Sequence, residues 1–292
     1  MSPSAQSGMQ SSDREVEIAQ GFNRLRICRS GPLLYNANDV YVGRSLQAYG
    51  EYNQIKLDLL LNLIGSGDVV VDIGAHIGVQ TVAFAQAVGK TGAVVAVEPQ
   101  RLLHQTMCGN AALNSLENVF ALHAAAGDKL DHIIAPTLNF WVENNYGAVE
   151  LGRYTEGEAV PLLPIDNMPL RACRLIAIDA EGMELDVLRG GAKVIKEHRP
   201  MLYVANYRKE KSAALISHLM GLGYRLYWSI VPLYNPQNFY GNATNIFDNP
   251  VTVGMICVPP GDAMPVDGKQ ITSPSEVWHG GASVTVNPAR MD

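Results

Sequence analysis

Apolar positions recur with two periods along this chain, and their alternation predicts an α/β protein. Val69, Val70 and Val71 form a β-branched run that reads as a buried parallel strand. It ends at Asp72, and the turn Gly74-Ala75-His76-Ile77-Gly78 follows. From Val79 to Val88 the apolar residues Val79, Val82, Ala83, Phe84, Ala87 and Val88 fall at helical spacing, with Gly89 placed to stop the helix. A strand, a glycine turn and a helix N-terminus in that order form half of a nucleotide-type site at the carboxyl edge of a parallel sheet.

The alternation continues. Val94–Val97 predicts a second strand ending in Glu98-Pro99, Arg101–Asn114 a helix, and Val119–Ala125 a third strand ending at Gly127-Asp128. Arg174–Ile178 predicts a strand that stops at Asp179, and Glu181-Gly182 turns into a helix over Met183–Arg189. The strand Pro200–Val204, the helix Glu210–Gly221 and the strands Tyr224–Trp228 and Val251–Val258 complete the sheet. Upstream, residues 22–48 alternate in short stretches, including Val40-Tyr41-Val42, and predict a small β cap. The apolar helix Gln54–Ile64 leads from it into the first core strand. Residues 130–168 and 230–249 break the βα rhythm, and an insertion at a sheet's active edge commonly carries substrate contacts. The second of them reads as a lid. Four parts are expected: a polar, disordered segment 1–13, the cap and lead-in helix 14–66, the main domain 67–259, and a loose tail 260–292 with weak β patterning at Ala282–Val286.

Composition narrows the function. With 47% apolar residues among 292, the chain can bury a sizeable core. A net charge of -6 and the lack of any Lys/Arg run argue against nucleic acid as partner. Four scattered cysteines without a C-x-x-C pair, no membrane-length apolar stretch and no signal-type segment point to a cytoplasmic protein. Oligomeric state is not legible.

The glycine spacing narrows the ligand. A dinucleotide fingerprint wants Gly-x-Gly-x-x-Gly, whereas here three residues separate Gly74 from Gly78, with Asp72 just ahead. That acidic group suits a ligand with an ammonium and no phosphates, and S-adenosylmethionine is such a ligand. An NAD-dependent oxidoreductase is disfavoured by the same spacing. Glu98 comes 26 residues after Asp72, near the distance at which a strand-end carboxylate reaches ribose hydroxyls. Expected cofactor contacts are Asp72, Gly74, Ala75, His76, Gly78, Thr81, Glu98, Pro99 and Asp179. Glu51, with Tyr49, is either a further contact or part of a surface turn, and Asp128 either faces adenine or belongs to a plain turn. Asp179 and Glu181 are the first candidates for the catalytic base and His76 the alternative. Asn145, Tyr146, Asp166 and Asn206 are substrate candidates that turn chemistry explains as well.

Three segments carry a family resemblance: Asp72–Gly78 (Asp-Ile-Gly-x-x-Ile-Gly), Val97–Pro99 (Val-Glu-Pro) and Ile178–Glu184 (Ile-Asp-x-Glu-Gly-Met-Glu). Together they resemble the FkbM-type S-adenosylmethionine-dependent methyltransferases, over roughly residues 35–259. The resemblance implies a Rossmann-like class I methyltransferase fold. Its seven-stranded, mostly parallel sheet has helices on both faces and one antiparallel strand near the edge. It implies O-methylation of a hydroxyl on a sugar, glycan, polyketide or related small molecule. Relatives often carry Asn at position 76 and Glu-Asn-Asp at positions 205–207, where this chain has His76 and Ala205-Asn206-Tyr207. Asp179 with Asn206 resembles the magnesium site of catechol-type methyltransferases, but Ala205 removes an oxygen ligand, so a divalent metal at Asp179 and Asn206 is the less favoured expectation. A cofactor-binding module without activity is the competing expectation.

Overall fold

The computed structural model describes residues 15–17 and 21–278; the expectations for residues 1–13 and Ala282–Val286 lie outside them. The chain opens with the strands β1 (Glu15–Glu17), β2 (Asn23–Cys28) and β3 (Gly31–Asn36), which form an antiparallel sheet. The helices α1 (Val42–Tyr49) and α2 (Gln54–Leu61) follow. The expected strand at Val40–Val42 is therefore corrected to a helix start. Val42, Leu46 and Tyr49, at i, i+4 and i+7, bury one helical stripe, and this longer period overrides a three-residue alternation.

Strand β4 (Val69–Ile73) and helix α3 (Val79–Val88) form as expected, followed by β5 (Ala93–Val97), α4 (Arg101–Leu113) and β6 (Val119–Leu122). The insertion that breaks the rhythm is a small sheet of its own, made of β7 (Ala125–Ala126), β8 (Asp131–Ala135) and β9 (Glu158–Leu163). Then come β10 (Leu175–Ile178), α5 (Glu184–Gly190), α6 (Ala192–His198), β11 (Met201–Ala205), α7 (Lys209–Gly221), β12 (Arg225–Pro232), β13 (Val251–Val258) and β14 (Gln270–Ile271).

The main sheet runs β14-β12-β13-β11-β10-β4-β5-β6. Strand β13 pairs antiparallel with both neighbours, while β11, β10, β4, β5 and β6 pair in parallel. This is the seven-stranded sheet expected, with a two-residue eighth strand added by residues the sequence suggested were loose. Period-two alternation along β4 explains the layers. Val70 packs with Leu57, Leu60, Phe84 and Val88 of α2 and α3, while Val71 and Ile73 pack with Val187, Leu188 and Leu215 of α5 and α7. Each such side chain, fully buried, contributes about 1.5–3 kcal/mol. Asp72 falls on the α3 side.

Two polar clasps fix the cap. Asn110 on α4 accepts the amide of Leu34 in β3 (2.6 Å) and donates to the carbonyls of Leu34 (3.0 Å) and Ile77 (2.7 Å). One buried side chain thus joins cap, helix and the glycine turn. Glu51 makes the second clasp. It accepts from Arg29 Nε (2.7 Å), Asn235 Nδ2 (2.8 Å) and the Phe239 amide (2.8 Å). Tyr49 donates to the Thr244 carbonyl and accepts the Ile246 amide, and Tyr240 donates to the Ile27 carbonyl. The loop between β12 and β13 is therefore riveted to α1 and the cap; none of residues 233–249 lines the site hollows, which corrects the lid.

Candidate active site

At the carboxyl ends of β4 and β10 the chain turns sharply, and two adjoining hollows open. Gly74 has φ +79°, and a Cβ built there would lie 2.0 Å from the carbonyl oxygen of Asp179. Only glycine lets the two strand ends meet this closely. Gly78 (φ +81°) gives way to Met107 in the same manner and starts α3.

The larger hollow holds about 1160 Å³ of empty space. Its floor is Asp72, Gly74, Ala75, His76 and Gln80, and its far wall includes Asp179, Glu181, Ala205 and Tyr207. Tyr52, Asn53 and Lys56, at the head of α2, close a third side. The smaller hollow, about 560 Å³, is lined by Glu98, Pro99, Gln100, Leu103, Ala125, Ala126 and Tyr146. Gly74, His76, Gly147, Asp179 and Glu181 border both, so the two make one bent cleft.

Charge in this cleft is buried and partly unpaired. Asp72 accepts from Gln80 Nε2 (2.9 Å) and Thr81 Oγ1 (2.6 Å), both on α3. Burial raises its pKa, opposed by those two hydrogen bonds. Glu98 accepts the amides of His76 (2.9 Å) and Gln100 (2.8 Å), and burial pushes it up to about 7. Burial also raises Asp179, while the charges of Lys56 and Arg208 oppose the rise. Glu181 sits at φ 48°, accepts from the Tyr207 hydroxyl and from Arg208 (3.1 Å), and rises to about 8 through burial and then the neighbouring Asp179. His76, at φ 53°, is lowered to about 4 by burial.

Several buried polar atoms at the cleft lack any hydrogen-bond partner: Asn53 Oδ1, Gln80 Oε1, Gln100 Nε2 and both ring nitrogens of His76. Buried polar atoms are normally satisfied, so a cluster of orphans facing one hollow marks a ligand site. The two amide oxygens, of Asn53 and Gln80, beside two carboxylates suit an ammonium group. Lys56, whose ammonium also lies 5.3 Å from the centre of the Tyr203 ring, suits a carboxylate. Glu98 keeps a free lone pair on each oxygen for ribose hydroxyls. The residues present thus fit S-adenosylmethionine.

Comparison with known families agrees. The methyltransferase FkbM domain matches residues 72–226, just over half of the chain. This chain belongs to that family. FkbM-family proteins are S-adenosylmethionine-dependent methyltransferases, and the sheet order here is that of the class I fold. Among solved structures, an FkbM methyltransferase from Methylobacillus flagellatus KT is similar at 19% identity and TM-score 0.46, over 75% of this chain and 55% of that one. A precorrin-6y C5,15-methyltransferase from Geobacter metallireducens GS-15 is similar at 13% and 0.46, over 70% and 87%. An S-adenosylmethionine-dependent O-methyltransferase from Thermotoga maritima is similar at 12% and 0.41, over 72% and 67%. The chain thus spans little more than half the length of the Methylobacillus protein. No curated protein matches in sequence.

Of the residues expected in the site, the cleft gathers Asp72, Gly74, Ala75, His76, Glu98, Pro99, Asn145, Tyr146, Asp179 and Glu181. Others stand elsewhere. Glu51 lines neither hollow because the cap clasp engages it, and Gly78 and Thr81 shape the FkbM turn from behind. Asp128 is exposed, and Ala125 and Ala126 form that wall instead. Asp166 accepts the amides of Lys193 (3.0 Å) and Val194 (2.9 Å) at the start of α6, and Asn206 turns its amide to Met255. Asn206 lines neither hollow, and among the described residues no group of three or more His, Cys, Asp or Glu is placed to hold a metal ion. No helix among those residues is long and apolar enough to cross a membrane. Sequence reasoning missed Asn53, Lys56, Gln80 and Gln100. Only Gln80, two residues past Gly78 at the helix start, carried a positional signal.

Proposed function

We propose that this FkbM-family protein methylates a hydroxyl oxygen of a sugar, glycan, polyketide or related small molecule. The observation that carries the reading is the set of orphaned buried polar atoms converging on the cleft beside Gly74 and Asp179. In this reading Asp72, Asn53 and Gln80 hold the amino-acid end of the donor and Glu98 the ribose, with Ala125 and Ala126 against the base. Bound S-adenosylmethionine supplies a methyl group already activated on sulfur. The chain's own task is alignment and proton removal, and alignment of this kind is worth about 7–11 kcal/mol in favourable cases.

A hydroxyl needs a base as its oxygen is methylated. Glu181 is already engaged by Tyr207 and Arg208, which leaves its carboxyl less free to take the hydroxyl proton, and burial beside Asp179 raises its pKa. His76, lowered to about 4, is uncharged at neutral pH and has a lone pair to offer. Unpartnered ring nitrogens beside an engaged Glu181 support His76 as base, with Asp179 facing the cationic donor, the reverse of the order that the sequence suggests. Calorimetry with S-adenosylmethionine, followed by assay of S-adenosylhomocysteine release with candidate hydroxyl acceptors, tests the reading. Absence of donor binding overturns it, and donor binding with no release across sugars, glycans and polyketides marks a binding module instead.

A further inference from the structure

Asp39 belongs to the cap, outside the stretch matched by the FkbM family, and lines neither hollow. It is nonetheless buried against the turn between them, at 3% exposure. Its Oδ1 accepts the amides of Tyr41 and Val42, both at 2.9 Å, which caps α1 and fixes the carboxylate. The insertion grips the same spot: Val40 donates to the Asn144 carbonyl (3.1 Å), and Asn144 donates to that of Asn38 (3.0 Å). Oδ2, not used by those amides, lies 3.6 Å from His76 Nε2, too far for a hydrogen bond to the neutral ring but within ion-pair reach once the ring is protonated.

His76 itself is fixed through its backbone, although neither ring nitrogen has a hydrogen-bond partner. Its backbone amide is tied to Glu98 Oε2. Gly147 lies over the ring, where a Cβ would come within 3.2 Å of Cδ2 and 3.4 Å of Nε2. A buried carboxylate at one ring nitrogen selects the tautomer at the other.

We propose that Asp39 is a positioning residue for catalysis: its carboxylate beside Nε2 favours the tautomer with the proton on Nε2, leaves Nδ1 to take the proton of the acceptor hydroxyl, and pairs with the imidazolium that forms. The proposal rests on the methyltransferase reading above. As the acceptor oxygen bonds to the methyl carbon, the carbon–sulfur bond breaks with its electron pair left on sulfur. The hydroxyl proton passes to Nδ1, and Asp39 balances the imidazolium formed. Burial brings Asp39 up to about 6, so it is ionised at neutral pH beside a neutral imidazole. The other ionisable groups lining the hollows that His76 borders are Tyr52, Lys56, Asp72, Glu98, Tyr146, Asp179, Glu181 and Tyr207. Among them only Lys56 is basic.

The test is nitrogen-detected NMR of the full chain with labelled histidine, the His76 signals being those lost in His76→Gln. At pH 7.5 the Nε2–H tautomer is expected in the wild-type protein. Asp39→Asn, which keeps an oxygen for the α1 amides, should erode that preference and lower the imidazole pKa further, by about one unit. An Nδ1–H tautomer in the wild type overturns the proposal without recourse to any variant, as does an Asp39→Asn spectrum unchanged at His76. S-adenosylhomocysteine provides a separate arm. If it neither binds nor shifts His76 while the tautomer is as expected, the methyltransferase reading and the proton transfer fall and the pairing stands.

Discussion

Two carboxylates of this fold, Glu51 and Asp179, come to opposite outcomes. Glu51 is 4% exposed and surrounded by donors: a guanidinium, an amide side chain and a backbone N–H converge on its two oxygens. Asp179 is half-buried, and its neighbours include another carboxylate and the orphaned atoms of Asn53, Gln80 and His76. The first cluster is complete and joins the cap to the β12–β13 loop. The second is incomplete until something enters it. What separates the structural acid from the functional one is the tally of satisfied partners.

The contrast breaks most sharply at Gly74. Gly74→Val puts a branched side chain at φ +79° against the Asp179 carbonyl, and affinity for S-adenosylmethionine should fall by roughly 100-fold or more. Calorimetry checks this, with circular dichroism to show a retained fold; wild-type affinity in a folded variant would overturn the assignment of the cleft. His76→Gln should come next, with turnover reduced about 10²–10⁴-fold and donor affinity nearly unchanged. Measurement of kcat and donor Kd on one preparation separates the two effects, and an unaltered kcat would return the role of base to Asp179 or Glu181.

Glu51→Ala should do the opposite. It strands Phe239 N–H and Asn235 and costs about 2–3 kcal/mol of stability, read in the denaturation midpoint, with donor affinity intact. Loss of donor binding in a stable Glu51→Ala protein would erase the distinction between the two clusters. The smallest effect is one of pH. Folded Glu98 and Glu181 hold their protons up to about 7 and about 8, whereas unfolded glutamate releases its proton near ~4.3. Between pH 6.5 and 8 the unfolded chain binds fewer protons, so stability falls as pH rises. His76 acts below that window, where its depressed pKa costs stability as pH falls. Glu181→Gln should flatten the slope in urea titrations by on the order of 1 kcal/mol across the window.

The sequence reveals most where a single period and a punctuating glycine coincide. β4, the Gly74–Gly78 turn and α3 follow directly from valine runs and helical spacing, and so do Asp72, Glu98 and Asp179 at strand ends. It fails where a role depends on distant partners. Nothing local to Asp166 announces that it caps α6, 27 residues on, and nothing local to Glu51 announces Phe239. The third side of the cleft, Tyr52 to Lys56, comes from an apolar helix whose head faces inward, and period alone does not say which end of a helix meets a site. Val40–Val42 failed for a different reason, since three alternating residues match the start of a helical stripe equally well.

The Asn110 clasp carries a dynamic consequence. Leu34 N–H can exchange with solvent only when the side chain on α4 lets go, and that release also frees the carbonyl of Ile77. Deuterium uptake at Leu34 is therefore expected to report opening beside the cleft rather than fraying of the outer strands, with the cap and the Gly74–Gly78 turn loosening as one cooperative unit.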